Sequence, residues 1–427
     1  MLSIYSWLIR AAAPIAFAQV LWRGLRDRAY WRGLPERFGL GRTLPSAGSI
    51  WVHAVSLGEM SAAAPLVRAL RSRHPQTALV ITTATPAGRA RALALFADTA
   101  DIRYLPYDTP GSVKRLLNRI QPCIAVIMET ELWPNLFREC ERRQVPVLLA
   151  SARLSRRSVS GYRRFGRLFS GVFTPNVTVA AQSTDDAERF TAIGAAAERV
   201  RVVGNVKFDL ELDGALLEAG RGLRAAFGHR AVWIAGSTHA GEEEQVLDAH
   251  AMLRAQRPEA LLLLAPRHKD RFAAVAELLV RRNIEVARRS GMAGQSAPMP
   301  AAAVILVDTI GELAALYASA DVAFVGGSLV PIGGHNLLEP AALGLPVLTG
   351  PSHFNATEIA QLLLSRGAAI TIADAAELAA ALEHLFDDPA ERRRIGAIGK
   401  SMVESNRGSV ARLLALIEPS LPAAHRS

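Results

Sequence analysis

The sequence predicts an α/β protein with two doubly wound domains, each built on a parallel sheet that helices cover on both faces. From Ser49 onward, short apolar runs alternate with amphipathic helical patterns, as in repeated β-α units. The runs are apolar throughout, which is typical of parallel strands buried on both faces. They fall into two series, at 50–53, 78–82, 102–105, 124–128, 145–149 and 177–181, and at 232–235, 261–265, 304–307, 322–325 and 347–349.

The composition fits a multidomain globular protein with an anionic partner. The chain has 427 residues, and its 49 Lys and Arg residues against 39 Asp and Glu residues give a net charge of +10. Such a charge favours nucleic acid, a phosphorylated metabolite or a membrane surface. The two cysteines are too few for a disulfide framework and lack zinc-binding spacing. We expect an N-terminal membrane anchor and basic segment at 1–42, a Rossmann-like domain at 43–210, and a second Rossmann-like domain with C-terminal helices at 211–427.

The first 22 residues indicate membrane contact. Residues 2–22 are apolar apart from Ser3, Ser6, Arg10 and Gln19, and arginines follow at 23, 26, 28, 32 and 37. A secretory signal would place its positive charge before the apolar run and a small-residue cleavage site after it, and neither is evident. The segment fits a marginal span, a helix in the membrane interface, or an ordinary buried helix. If it contacts the membrane, the positive-inside rule places the body of the protein in the cytoplasm.

Three glutamates follow predicted strands of the first domain, where ligands collect in open parallel sheets. Glu59 follows the strand at 50–53 and lies in the first turn of a helix that begins near Leu57. It fits a general base, and by position alone it also fits a glutamate that only stabilises the helix start. Glu129 and Glu131 follow the strand at 124–128. A metal site there is weakly supported, because no histidine or third acid is spaced to complete a coordination shell.

Loops after three predicted strands of the second domain carry anion-binding features. They are Gly236-Ser-Thr-His239, Pro266-Arg-His-Lys269 and the glycine-rich stretch from Gly326 to Glu339. The glycine pairs permit close backbone approach, although neither a dinucleotide fingerprint nor a P-loop is present. Asn336 and Glu339 lie three residues apart on one helix, so they can contact a phosphate and a ribose together. Two Rossmann-like domains facing a cleft, with nucleotide elements in the second and a carboxylate base in the first, are the arrangement of a GT-B glycosyltransferase whose acceptor side is the first domain.

Five motifs are spread over nearly the whole chain. They are His53-Ala-Val-Ser-Leu-Gly-Glu59, Met128-Glu-Thr-Glu-Leu-Trp-Pro-Asn135, Gly204-Asn-Val-Lys-Phe-Asp209, Pro266-Arg-His268 and Gly334-His-Asn-Leu-Leu-Glu-Pro340. Together they resemble the 3-deoxy-D-manno-octulosonic acid (Kdo) transferases of lipopolysaccharide synthesis. The resemblance implies a GT-B enzyme at the cytoplasmic face of the inner membrane of a Gram-negative bacterium. Such an enzyme moves Kdo from CMP-Kdo to the lipid A precursor, lipid IVA.

The resemblance also implies roles for individual residues. Glu59 is the expected catalytic base, and Glu129 and Lys207 are expected to assist at the transition state. The expected CMP-binding residues are Pro266, Arg267, Ile310, Gly311, Glu312, Asn336, Leu337, Leu338 and Glu339. The family often has Met at the position of Ile310 and Pro at that of Leu337, and these apolar changes are compatible with the same backbone contacts.

The expected chemistry is direct attack with one base, which inverts the anomeric carbon. No metal ion or other cofactor is expected, because Arg267 and helix N-termini can stabilise the charge that grows on departing CMP. The expected partners are CMP-Kdo, the lipid A precursor and inner-membrane lipids, with no nucleic acid. The alternatives are a UDP-sugar GT-B transferase or epimerase, and a basic RNA-binding protein. The RNA-binding alternative lacks an RRM-type motif and has few aromatic residues beside its arginines.

Overall fold

The chain forms two compact units. The computed structural model describes residues 2–164, 169, 171–292 and 302–422. The first unit comprises residues 1–209 together with 406–427, and the second comprises residues 210–405. Each unit contains one seven-stranded sheet in which every pair of neighbouring strands is parallel. This confirms the predicted α/β class with two doubly wound sheets.

The sheet of the first unit has the strand order β3-β2-β1-β4-β5-β6-β7. Its strands are β1 Ser49–His53, β2 Leu79–Thr83, β3 Asp101–Tyr104, β4 Pro122–Met128, β5 Val147–Ala152, β6 Val177–Ala181 and β7 Val200–Val202. The helices before and between them are α1 Leu2–Arg26, α2 Leu57–Arg73, α3 Pro86–Phe96, α4 Pro110–Ile120, α5 Pro134–Arg142, α6 Arg156–Arg164 and α7 Thr184–Ala192. Successive residues of β1 point to opposite faces: Ile50 belongs to the core cluster that contains Leu66 of α2, and Trp51 belongs to the one that contains Phe137 of α5. Both faces of the sheet are therefore buried.

The sheet of the second unit has the strand order β10-β11-β9-β8-β12-β13-β14. Its strands are β8 Val232–Thr238, β9 Leu261–Pro266, β10 Val286–Arg288, β11 Val304–Leu306, β12 Val322–Val325, β13 Val347–Thr349 and β14 Ala369–Thr371. The helices are α8 Gly214–Ala226, α9 Glu243–Gln256, α10 Arg271–Arg281, α11 Leu313–Ala318, α12 Leu338–Ala342, α13 Thr357–Ser365, α14 Ala375–Asp387 and α15 Pro389–Asn406.

The last helix, α16 Ser409–Ile417, belongs to the first unit, which corrects the prediction that all of 211–427 forms the second domain. Its apolar residues Leu413, Leu414 and Ile417 are buried in the core of the first unit. At its start, the carboxylate of Asp209 accepts hydrogen bonds from the backbone N–H groups of residues 408 and 410. An amphipathic helix can pack on either unit, so its own pattern could not reveal this choice.

One face of α1 packs along the first unit. The hydroxyl of Tyr5 donates to the Asp108 carboxylate over 3.0 Å, and the hydroxyl of Ser6 donates to the side-chain oxygen of Asn135 over 2.6 Å. Three turns further along, the ring of Phe17 meets Phe38 edge-on, with the ring centroids 5.1 Å apart. The helix therefore contacts the unit near its start and again beyond its middle.

Asp108 connects α1 to the start of α5. Its carboxylate accepts the backbone N–H groups of Asn135 and Leu136 at 3.0 and 2.8 Å, and it therefore caps α5, whose N-cap residue Trp133 offers no side-chain hydrogen bond. Burial raises the pKa of Asp108 to about 7, although its hydrogen bonds with Asn135, Tyr5 and Leu136 oppose the shift. The first turn of α1 is thus bonded to the helix that follows Glu129 and Glu131.

The opposite face of α1 is an exposed apolar stripe. Steps of four and three residues alternate along it, so all its members lie on one side of the helix. The stripe residues are Ile4, Leu8, Ala11, Ile15, Ala18, Trp22 and Leu25. Residues 4–26 contain an 18-residue window with a mean hydropathy of 1.4 and are long and apolar enough to cross a membrane by length and composition. This is the predicted N-terminal apolar helix.

Candidate active site

The first candidate site lies where the strand order of the first sheet reverses. β1 pairs with β2 on one side and with β4 on the other, and ligands of open parallel sheets bind beyond the strand ends at such a point. Glu59 follows β1, and Glu129 and Glu131 follow β4. The register pairs His53, the last residue of β1, with Ile127 of β4, so both loops leave the same edge of the sheet.

Glu59 closes the N-terminus of α2. The N-cap residue Ser56 accepts the backbone N–H of Glu59, and the Glu59 carboxylate accepts the backbone N–H of Val55 over 2.9 Å. This reciprocal pattern is a capping box. The second carboxylate oxygen of Glu59 has a longer contact, 3.3 Å, from the Ser56 hydroxyl. The helix-stabilising function is therefore present, and one oxygen remains only weakly engaged.

Burial raises the pKa of Glu59 above that of an ordinary glutamate. The negative charge of Glu129 acts in the same direction, whereas the Val55 N–H, the Ser56 hydroxyl and the positive charge of Lys207 oppose it. A carboxylate with a raised pKa is a better proton acceptor once it is ionised.

Glu129 is held between two cations. Its carboxylate accepts from the Arg153 guanidinium at 3.0 Å and lies 3.5 Å from the Lys207 ammonium. Its φ of +54° is uncommon for a residue with a side chain. Lys207 lies in a single 3₁₀ turn, Val206–Phe208, just beyond β7. The structure thus brings together the three residues predicted as catalytic and adds Arg153, which sequence reasoning did not assign.

Glu131 is a further titratable group of this site. Burial raises the pKa of Glu131 to about 7, and the charges of Glu59 and Glu129 add to the shift. Three carboxyl groups therefore influence one another at this sheet edge. The Glu-x-Glu pattern after β4 was the available sequence signal, but it did not distinguish the two glutamates.

The second candidate site lies beyond the strands of the second unit. A pocket of about 90 Å³ follows β9 and β11, and four predicted nucleotide-binding residues line it, namely Pro266, Arg267, Ile310 and Gly311. Arg267 is exposed and makes no ion pair with any carboxylate in the part of the chain that the structure describes. The carboxylate of Glu312 pairs with Arg289 at 2.9 Å and accepts from the Thr309 hydroxyl, so only its backbone is free for the pocket.

The remaining predicted nucleotide-binding residues surround the start of α12. Asn336 donates to the Glu339 carboxylate over 3.0 Å, and its side-chain oxygen accepts the backbone N–H of Leu338 over 3.1 Å. Burial raises the pKa of Glu339, while Asn336 and the positive charge of Arg267 oppose the shift. Leu337 and Leu338 are 2% and 1% exposed, so their side chains belong to the core.

The glycine-rich loop after β12 differs from its expected use. The buried carboxylate of Glu242 accepts the backbone N–H groups of Gly327, Ser328 and Leu329 at 2.7, 2.9 and 2.8 Å, and that of His239 at 3.2 Å. The glycine pair suggested that these N–H groups bind a ligand anion, but the Glu242 carboxylate already occupies them. Sequence reasoning missed Glu242 because it lies 85 residues from Gly327 in the chain.

Three histidines meet beside Arg267. The Nε2 atoms of His239 and His335 are 2.7 Å apart, with the two ring planes within 5° of parallel and the ring centroids 5.0 Å apart, and the His268 ring lies edge-on to His239 at 5.4 Å. The motifs contained all three, but their meeting could not be predicted. Within the described ranges, no three His, Cys, Asp or Glu residues are arranged to hold a metal ion.

The fold matches solved two-domain nucleotide-sugar enzymes. A UDP-GlcNAc 2-epimerase from Neisseria meningitidis bound to UDP-GlcNAc has a TM-score of 0.56 and 15% identity, covering 87% of this chain and all of that one. A UDP-N-acetylglucosamine 2-epimerase from Listeria monocytogenes has a TM-score of 0.53 and 16% identity, covering 87% and 96%. At such identities the likeness concerns the fold alone. The chain has a two-domain GT-B-like fold, with one candidate site in each unit.

Sequence comparisons give the family. Residues 32–210 match the model of 3-deoxy-D-manno-octulosonic-acid transferase, and residues 300–402 match that of glycosyl transferases group 1. A 3-deoxy-D-manno-octulosonic acid transferase of Haemophilus influenzae is 38% identical over 98% of both chains, and one of Bordetella pertussis is 36% identical over 97% of this chain and 98% of its own. The chain belongs to the Kdo transferase family. This confirms the predicted family and enzyme class.

Proposed function

We propose that this enzyme transfers Kdo from CMP-Kdo to a lipid A precursor, lipid IVA, in lipopolysaccharide synthesis at the cytoplasmic face of the inner membrane. The observation that carries the proposal is the cluster of Glu59, Glu129 and Lys207 at the switch point of the first unit, in a chain of this family.

Glu59 acts as the general base in the proposed reaction. The acceptor hydroxyl attacks the anomeric carbon of Kdo and gives its proton to Glu59, while the bond from that carbon to the phosphate oxygen breaks and CMP leaves with the electron pair. A positioned base contributes about 10²- to 10⁴-fold to such a step. A single displacement inverts the anomeric centre. Lys207 and Glu129 support the developing charge, and Lys207 also favours the ionised form of Glu59.

The donor binds in the second unit. The pocket beside Pro266 and Arg267 takes the nucleotide, and Arg267 pairs with its phosphate. Asn336 and Glu339 offer an amide and a carboxylate to the ribose. We propose that no metal ion takes part, because a cationic side chain is at hand to neutralise the phosphate that leaves with more negative charge.

The proposed function is tested by product analysis. The purified protein is incubated with lipid IVA and either CMP-Kdo or UDP-sugars, and the lipid products formed from CMP-Kdo are weighed by mass spectrometry with and without EDTA. We expect addition of Kdo in both cases. Addition only from UDP-sugars, or no transfer from CMP-Kdo, would contradict the proposal, and activity abolished by EDTA would contradict the metal-free mechanism.

Arg267→Ala should weaken binding of CMP and CMP-Kdo by about 10- to 150-fold. A hydrogen bond to a charged group is worth about 1.5 to 3 kcal/mol, and this exposed side chain has no ion-pair partner among the described residues. Isothermal titration calorimetry measures the affinity. Arg366→Ala, another exposed arginine of the same unit, is the control and should bind normally. Unchanged affinity in Arg267→Ala would move the phosphate site elsewhere.

We also propose that α1 lies in the plane of the membrane interface, with its exposed apolar stripe in the lipid. The opposite face of the helix is occupied by the first unit through Tyr5, Ser6 and Phe17, so lipid cannot surround it as it would a spanning helix. Arg10, Arg23 and other exposed arginines flank the stripe and can reach anionic headgroups.

Spin labels at positions 8, 15 and 22 test this orientation, after Cys123 and Cys140 are replaced by serine. An in-plane helix predicts equal depths for all three labels in vesicles of anionic lipid, whereas a spanning helix predicts the greatest depth at position 15. Ile15→Glu should reduce vesicle binding in flotation experiments. Val280→Glu, at a residue of similar exposure, 68% against 64%, should not. Labels at graded depths would refute the in-plane arrangement.

A further inference from the structure

The contact between His239 and His335 restricts which of their four ring nitrogens can carry a proton. Two imidazole nitrogens 2.7 Å apart must share one hydrogen, so one ring donates through Nε2 and the other accepts. In the neutral pair, the accepting ring carries its own proton on Nδ1, and the donating ring has a bare Nδ1. One additional proton can be taken up at that bare nitrogen without breaking the contact, and the hydrogen bond then becomes charge-assisted.

The surroundings of the pair favour its neutral form. Burial lowers the pKa of His335 to about 4, and His239, Arg267 and His268 act in the same direction. Burial also lowers the pKa of His239, with His268, Arg267 and Arg271 adding to the effect and Glu242 opposing it. Among the described residues, Glu242 is the one acidic group whose charge affects the pKa of either histidine, and it already accepts four backbone N–H groups.

The site therefore has an excess of positive groups. Of its two carboxylates, Glu242 accepts backbone N–H groups, and Glu339, whose pKa the charge of Arg267 lowers, accepts from Asn336. The backbone donors at 327–329 are occupied by Glu242 and cannot bind a ligand anion, whereas the imidazoles and Arg267 offer side-chain donors beside them. Gly327 has a φ of +70°, and a Cβ atom on it would lie 2.9 Å from the His335 ring. The close approach of the loop to the imidazole pair thus depends on this glycine.

We infer that the His239–His335 pair, with Arg267 and His268, binds an oxyanion of the sugar-nucleotide donor and takes up one proton when it does so. The inference rests on the proposed function, which supplies a donor with two oxyanions, the phosphate diester and the sugar carboxylate. A bound anion reverses the balance of charge around the pair and stabilises its protonated form. Donor affinity then rises as the pH falls, because the bound state holds more protons.

Proton uptake is measured by calorimetry in buffers of different ionisation enthalpy between pH 6 and 8. The probe is the methyl ester of CMP, because the second pKa of a phosphate monoester, about 6, would add its own titration. We expect uptake of close to one proton and an affinity that falls by up to about tenfold per pH unit as the pH rises. Proton uptake on binding of free Kdo would show that the sugar carboxylate is the bound oxyanion. Cytidine, which has neither oxyanion, should bind without proton uptake.

His239→Asn and His335→Asn should each abolish the proton uptake and flatten the pH dependence, while His384→Asn, an exposed histidine of α14, should change neither. A merely structural role of the pair would weaken binding at every pH and leave the uptake intact, which would overturn the inference. Binding of both the ester and Kdo without proton uptake in the unaltered protein would overturn it as well and leave the proposed function standing. Failure of the unaltered protein to bind CMP-Kdo at all would contradict both the inference and the proposed function.

Discussion

Glu59→Gln is expected to reduce transfer by at least about 10²- to 10⁴-fold while the protein stays folded and still binds CMP. Glutamine can occupy the same position of a capping box, so the hydrogen bond to the Val55 N–H survives and only the proton acceptor is lost. The measurements are the initial rate with lipid IVA, the thermal unfolding midpoint and the affinity for CMP.

The matched control is Glu377→Gln. Glu377 forms the same kind of capping box at the start of α14, where its carboxylate accepts the Ala373 N–H over 2.7 Å and Asp374 accepts its own N–H over 2.9 Å. This variant should transfer Kdo normally. Near-normal turnover by Glu59→Gln would mean that the carboxylate serves the helix alone.

The pH dependence of kcat/KM should also show whether Glu59 is the general base. Glu59 must be ionised to act as a base, and its pKa is raised, so kcat/KM should fall as the pH decreases through a value above that of an ordinary glutamate. Lys207 lowers the pKa of Glu59, and Lys207→Met should therefore move this acidic limb to higher pH, besides lowering the maximal rate. A limb that moves to lower pH would contradict the proposed arrangement.

Glu242→Gln is expected to destabilise the second unit by about 2 to 6 kcal/mol and to weaken donor binding. Each carboxylate oxygen accepts two backbone N–H groups, and an amide NH₂ in place of one oxygen leaves two buried donors without an acceptor, each costing about 1 to 3 kcal/mol. In a unit of this size, 1 kcal/mol lowers the thermal midpoint by about 2 to 4 °C. Calorimetric unfolding measures the loss.

Donor binding should decline with stability in this variant because the Glu242 carboxylate fixes the loop against which His335 packs. Glu383→Gln, an exposed glutamate of α14, is the control and should leave both quantities unchanged. If Glu242→Gln unfolds at the same temperature as the unaltered protein, the carboxylate does not organise the loop.

Local patterns sufficed to predict the two sheets and the positions of most strands. The strands that were not predicted are β7, β10 and β14, each of three residues and partly exposed, so they lack the long apolar run that identifies a buried strand. The packing of α16 on the first unit was also missed, because it depends on contacts with a distant part of the chain.

The site residues likewise fall into those that local sequence identifies and those that depend on contacts between distant parts of the chain. Residues at strand ends, such as Glu59, Glu129 and Arg267, were identified from their position and from the family motifs. The contacts of Glu242 and the pairing of His239 with His335 join loops 85 to 96 residues apart, and no local spacing encodes them. The raised pKa of Glu131 likewise follows from burial and from neighbouring charges that only the folded sheet brings near.

The hydrogen bonds of Tyr5 and Ser6 give the lipid-facing helix a mechanical role in the proposed in-plane arrangement. They tie its first turn to Asp108 and Asn135, and α5 begins only three residues after Glu131. The helix then fixes the distance between the catalytic carboxylates and the bilayer surface. An acceptor held in the membrane by its acyl chains would meet the base at a fixed distance from the headgroups, and sugars attached further from the lipid would lie beyond its reach.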